Sequence, residues 1–88
     1  MKINPQGPNA TEIVKSNGDR ILVSYKTPVA ACIKGKFYRT EENHSRTTSY
    51  HIARWSKRNS VETKGQRNRW IEELPTVIKP QSYFDKLI

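Results

Sequence analysis

"SRTTSYHIARWSKR", residues 45–58, joins a run of small hydroxyl side chains to an apolar pair and threads four cations through both. Ser45, Thr47 and Thr48 suit a helix N-cap, because a hydroxyl oxygen accepts from the free amides of a first turn. With 100° between successive residues, Thr48, Ile52 and Trp55 fall on one face. Tyr50, Arg54, Lys57 and Arg58 fall on the opposite face, and His51 flanks the apolar side. The spacing predicts an amphipathic helix over about 47–58 that docks through Ile52 and Trp55 and leaves its cations in solvent.

Such a helix needs a sheet to cover, and the residues before it supply one. In "TEIVKSNGDRILVSY", Asn17-Gly18 is a strong hairpin signal, since both residue types tolerate the positive φ of a type I′ turn. Thr11 to Ser16 and Asp19 to Tyr25 flank it as strands. Ile21, Val23 and Tyr25 alternate with Arg20, Leu22 and Ser24, which predicts one apolar face. Pro28 has no amide to give to a ladder, so it marks a bend or an edge. "VAACI" and "KFYRT" (36–40) read as two more strands around a tight turn at Gly35.

The remaining segments are less patterned. Residues 1–10, with Pro5, Gly7 and Pro8, read as a flexible arm. Residues 57–69 are polar, charged and turn-rich, and read as an exposed basic linker. "RWIEEL" before Pro75 suits a helical turn. "KPQSYFDKLI" suits a short last helix with Tyr83, Phe84, Leu87 and Ile88 on its apolar side. The expected architecture is one α+β domain over 11–88. In it a small antiparallel meander of three to four strands packs against the 47–58 helix, and a short C-terminal helix closes one edge.

Size and composition agree with one small domain. The chain has 88 residues, 34% of them hydrophobic, and a mean hydropathy of −0.84. A domain of this length buries only about 60–65% of the surface its unfolded chain exposes, so the eight aromatic side chains must carry much of the core. Sixteen Lys and Arg against eight Asp and Glu give a net charge of +8, which favours polyanionic partners. No stretch reaches the length of a membrane span or has the apolar core of a signal peptide. Cys32, the single cysteine, sits in an apolar run and reads as a buried thiol in a reduced, cytoplasmic protein.

Catalytic chemistry has little to stand on. His44, His51 and Cys32 do not have the spacing of zinc ligands. Gly7, Gly18, Gly35 and Gly65 are scattered and form no phosphate-cradling loop. Glu41-Glu42 and Glu72-Glu73 are neighbours in sequence and so point apart. Only a fold that gathered Asp19, Glu41 and His44 would supply an acid/base cluster. The expectation is a non-enzymatic protein with no cofactor and no metal.

Residues 22–55 carry a more specific string. Ser24, Tyr25, Thr27, Val29, Ala30, Gly35, Tyr38, Ser45, Thr47, Thr48, Ser49, His51, Ile52 and Trp55 follow a pattern of the type SYxTxVA, then a glycine turn with an aromatic strand, then SxTTSxHIxxW. This resembles small uncharacterised proteins of phages, plasmids and other mobile elements. Tyr50 departs from the pattern, which has Lys or Arg after TTS. The resemblance implies a mobile-element origin and a short range of tasks: DNA or RNA binding, transcriptional control, or interference with a host machine.

Two functional readings follow. In the first, the protein binds the phosphate backbone of DNA or RNA through a basic helix face and the adjoining hairpin and linker. The residues concerned are Lys34, Lys36, Arg39, Arg46, Arg54, Lys57, Arg58, Lys64, Arg67 and Arg69, with Tyr50 available for base stacking. In the second, it is an inhibitor or adaptor that binds a host protein, anchored by Trp70, Tyr83 and Phe84.

Overall fold

The turns place the strands. Ile33 and Lys36 face each other across two residues, Lys34 and Gly35, whose φ values are 50° and 77°. Two successive positive φ angles define the type I′ turn, whose twist matches that of a hairpin. The Asn17-Gly18 hairpin is built differently. Its loop is three residues long, with Lys15 and Asp19 closing it through a 2.8 Å amide–carbonyl bond, and Gly18 alone is left-handed at 95°. Asn17 instead uses its side chain, accepting from the Asp19 amide at 3.0 Å. The expected I′ geometry therefore belongs to the second hairpin, and the first is a type I turn closed by a left-handed glycine.

The computed structural model of the chain describes residues 1–61 and 69–88. Its elements are β1 (Lys2–Pro5), β2 (Ala10–Val14), β3 (Arg20–Ser24), β4 (Thr27–Ile33), β5 (Lys36–Thr40), α1 (Arg46–Arg58), β6 (Ser60–Val61) and β7 (Arg69–Trp70). A 3₁₀ turn (Ile71–Glu73), β8 (Thr76–Lys79) and α2 (Gln81–Asp85) complete the order. Six strands form one sheet in the order β1-β2-β3-β4-β5-β8, and β6 pairs with β7 in a separate ribbon. Pairing is antiparallel from β1 to β5, whereas β8 runs parallel to β5.

The architecture is α+β with a mostly antiparallel sheet, but the sheet is larger than three to four strands. Residues 1–10, expected as an arm, contribute β1, whose four residues pair with Thr11 to Val14. β8 enters at the other side, where the Phe37 amide donates to Pro75 O at 2.9 Å. Pro28 lies inside β4 and not at a sheet edge. The register slips there, Val23 facing Pro28 and Leu22 facing Ala30, and this bulge accommodates the missing amide. Within the stretch expected as a linker, residues 57–58 close α1, and Ser60–Val61 pairs with Arg69–Trp70.

Both faces of the sheet are covered. On one, Leu22, Ala30, Cys32 and Phe37 pack with Ile52 and Trp55 of α1 and with Ile71 and Leu74. On the other, Ile21 and Ala31 pack with Phe84 of α2, bordered by Ile13, Val23, Tyr38, Tyr83 and Leu87. The alternation in β3 therefore does not separate an apolar from a polar side, because Ile21 and Leu22 are both buried under different helices. β3 ends at Ser24, and Tyr25 belongs to the turn. The C-terminal helix covers the second face instead of closing an edge.

Candidate nucleic-acid interface

Helix α1 starts where its hydroxyl run predicts. Ser45 is the N-cap, and its Oγ accepts from the Thr48 amide at 3.1 Å. Thr48, His51, Ile52, Trp55 and Ser56 form the buried side. Three of them are tied to the sheet by polar contacts. Ser24 Oγ lies 2.7 Å from His51 Nδ1 and 3.0 Å from Thr48 Oγ1. Trp55 Nε1 donates to Glu12 at 2.8 Å. Glu12, itself 2% exposed, also accepts from Asn4 Nδ2 at 3.1 Å and faces Arg20 Nη1 at 3.8 Å. Ser24, Thr48, His51 and Trp55 thus fasten helix to sheet.

The opposite side carries the charge. Tyr50, Ala53, Arg54, Lys57 and Arg58 surround a shallow depression of about 260 Å³. Arg46 lies one turn before Tyr50 on the same stripe. Tyr50 is 59% exposed. Among the described residues, none of these four cations has a carboxylate within 4 Å; the ion pairs there are Arg20–Glu12 and His44–Glu42. Arg54 is half-buried. Its Nη1 lies 3.5 Å from where a Cβ on Gly7 would stand, and among the described residues its buried Nε has no hydrogen-bond partner.

Helix electrostatics separate these cations. Lys57 and Arg58 occupy the last turn, where positive charge complements the carbonyl end. Arg46 occupies the first turn, which contains no acid. A cation there opposes the helix dipole at a cost of about 0.3–1 kcal/mol. Helix stability therefore accounts for Lys57 and Arg58 but not for Arg46.

The other sequence-predicted residues are dispersed. Lys34, within the exposed turn, and Lys36, next to it, lie at the end of the sheet away from the start of α1. Arg39 is half-buried on β5 opposite Ala30, on the α1 side. Arg69 is anchored through Nη2 to Glu73 O at 2.7 Å. Lys64 and Arg67 lie outside the described residues. The structure therefore brings Arg46, Tyr50, Arg54, Lys57 and Arg58 onto one face and leaves the hairpin lysines elsewhere.

One residue near this face escaped the sequence reading. Tyr25 has a φ of 58° and a side chain 54% exposed, and its ring centroid lies 5.8 Å from that of His51. Its sequence neighbours suggested a strand position, so only the turn geometry reveals it.

Several remaining polar groups are buried within the fold. Ser24 is 2% exposed, so its Oγ is closed to a substrate despite the adjacent imidazole. Burial pushes the Cys32 thiol up to about 11, an effect that Arg20 only partly offsets, so it is a poor nucleophile near neutrality. Asp19 precedes β3 while Glu41 and His44 follow β5, and the strand directions put these positions at opposite ends of the sheet. Among the described residues, no three His, Cys, Asp or Glu side chains cluster as metal ligands. No helix among them is long and apolar enough to cross a membrane.

No curated protein and no solved structure matches the chain. One family model does, over residues 1–73, and the chain accordingly belongs to the family of unknown function DUF8033.

Proposed function

We propose that this protein is a non-enzymatic nucleic-acid-binding module whose contact surface is the outer face of α1. The observation that carries the reading is Arg46, a cation held at the helix end that disfavours it, in line with Tyr50, Arg54, Lys57 and Arg58. A stripe of cations around an exposed ring suits a phosphate backbone, because each contact releases condensed counterions. The mobile-element origin implied by the sequence pattern, and the host cytoplasm as setting, belong to the same reading. The alternative of a host-protein inhibitor keeps Trp70, which is 47% exposed, but draws its other two anchors into the chain's own packing. Phe84 is fully buried within the chain, and Tyr83 packs edge-on against Tyr38 at 5.5 Å.

Fluorescence anisotropy of labelled DNA and RNA, titrated at several salt concentrations, tests the proposal. The expected result is a log K that falls linearly with log salt, with a slope of about −0.7 to −0.9 per phosphate engaged. Arg54→Glu combined with Arg58→Glu should abolish binding and leave the circular dichroism spectrum unchanged. Absence of binding at low salt would overturn the reading and redirect attention to protein partners.

A further inference from the structure

We infer that the nucleic acid taken by this face is single-stranded, and that Tyr25 is a second base-stacking ring beside Tyr50. The inference rests on the nucleic-acid reading above and adds the class of strand to it.

Tyr25 is a bulky aromatic residue in a conformation that suits glycine or asparagine. Tyr25 occupies the first position of the two-residue turn between β3 and β4, with φ at 58°. A β-branched or bulky side chain there is an outlier, and such strain collects at functional positions. Burial does not explain the tyrosine, since more than half of it faces solvent. The turn is nevertheless held firmly, with the Tyr25 amide donating to Asn9 O at 2.6 Å. Lys26, the other turn residue, is exposed.

The turn stands beside the cationic stripe. Tyr25 lies against His51, and His51 follows Tyr50 directly, about 100° further round α1. Arg54 is one turn along from both. The β1–β2 loop completes the connection: Gly7 lies under the Arg54 guanidinium, and Asn9 of the same loop holds the Tyr25 amide. Two exposed rings therefore border a surface that includes Arg54. Base faces are open to stacking only where a strand is unpaired, and aromatic rings with tracking cations are how single strands are held without sequence choice. A duplex would present phosphates to the cations but no base face to either tyrosine.

The test compares labelled oligothymidylate, an abasic oligomer with the same number of phosphates, and a duplex of equal length, by anisotropy at fixed salt. The full-length protein should bind oligothymidylate more tightly than the other two. Tyr25→Asn, which suits the left-handed turn, should weaken oligothymidylate binding by roughly 5- to 150-fold, the range of one base–aromatic stack. Its duplex binding and salt slope should not change, and Tyr25→Trp should retain strand binding. Equal affinity for oligothymidylate and the abasic oligomer would overturn the stacking inference even if Tyr25→Asn failed to fold, yet leave phosphate binding intact. Equal or tighter binding of the duplex would do the same. Failure to bind all three probes would remove the nucleic-acid reading as well.

Discussion

Trp55 and Glu12, forty-three positions apart, meet in the core with the indole N–H donating to the carboxylate at 2.8 Å. Trp55 is 1% exposed, and Phe37 meets it edge-on at 6.1 Å. The contact joins the last turns of α1 to β2, so two separable energies converge on one side chain: packing and a hydrogen bond to a charged group. Trp55→Ala should cost about 3–5 kcal/mol in urea unfolding. Trp55→Phe retains most of the packing but removes the donor, and should cost about 1.5–3 kcal/mol. A Phe variant as stable as the parent would show that Asn4 and Arg20 satisfy Glu12 without the indole.

Ser24 should behave as a structural hub. Its hydroxyl is shared between His51 Nδ1 and Thr48 Oγ1 in a buried site. Ser24→Ala leaves both partners short of a bond, and a buried polar group left unpaired costs about 1–3 kcal/mol. Thr48 retains its contact with Ser45 Oγ at 3.2 Å, so His51 bears most of the loss. In a double-mutant cycle with His51→Leu, the two effects should be strongly non-additive. Simple additivity would mean that the Ser24–His51 contact contributes nothing of its own.

Cys32 gives a pH signature. Its thiol ionises near 9.0 when exposed and near 11 in the fold. The unfolded chain therefore loses its proton first, and stability falls as pH rises from 9 towards 11. Two pH units correspond to about 3 kcal/mol at most. Unfolding midpoints of the parent and of Cys32→Ala, compared at pH 8 and pH 10, should converge or cross as the parent weakens. A constant difference between the two proteins would place the thiol in water. In the native state at pH 8, a thiol reagent should label Cys32 only as fast as the protein opens.

What the sequence makes legible is local. The 3.6-residue spacing of Thr48, Ile52 and Trp55 against Tyr50, Arg54 and Lys57 defines α1 nearly to its ends. The glycine turns likewise mark the meander. β8 offers no comparable signal: "TVIK" lies between two prolines, is too short to show a period, and pairs in parallel with a strand about forty residues earlier. β1 is as short and ends in proline. The double covering of the sheet was also hidden, because Leu22 beside Ile21 looks the same whether one helix or two lie above them. In the candidate site the helix face was readable. The link from Arg54 through Gly7 and Asn9 to Tyr25 was not, since it exists only once β1, β2 and α1 have assembled.

Arg46 offers the sharpest separation of function from stability, because the two should move in opposite directions. The first turn of α1 is its positive end, and no acid is present there to balance it. Arg46→Glu removes an unfavourable charge and adds a favourable one, each worth about 0.3–1 kcal/mol. The variant should therefore melt at a higher temperature than the parent. Its affinity for nucleic acid should nevertheless fall, with the salt slope reduced by about one phosphate. A loss of binding in a more stable protein cannot be attributed to unfolding, so it would assign Arg46 directly to the contact surface. Higher stability with unchanged affinity would remove Arg46 from that surface and confine any contact to Tyr50, Arg54, Lys57 and Arg58.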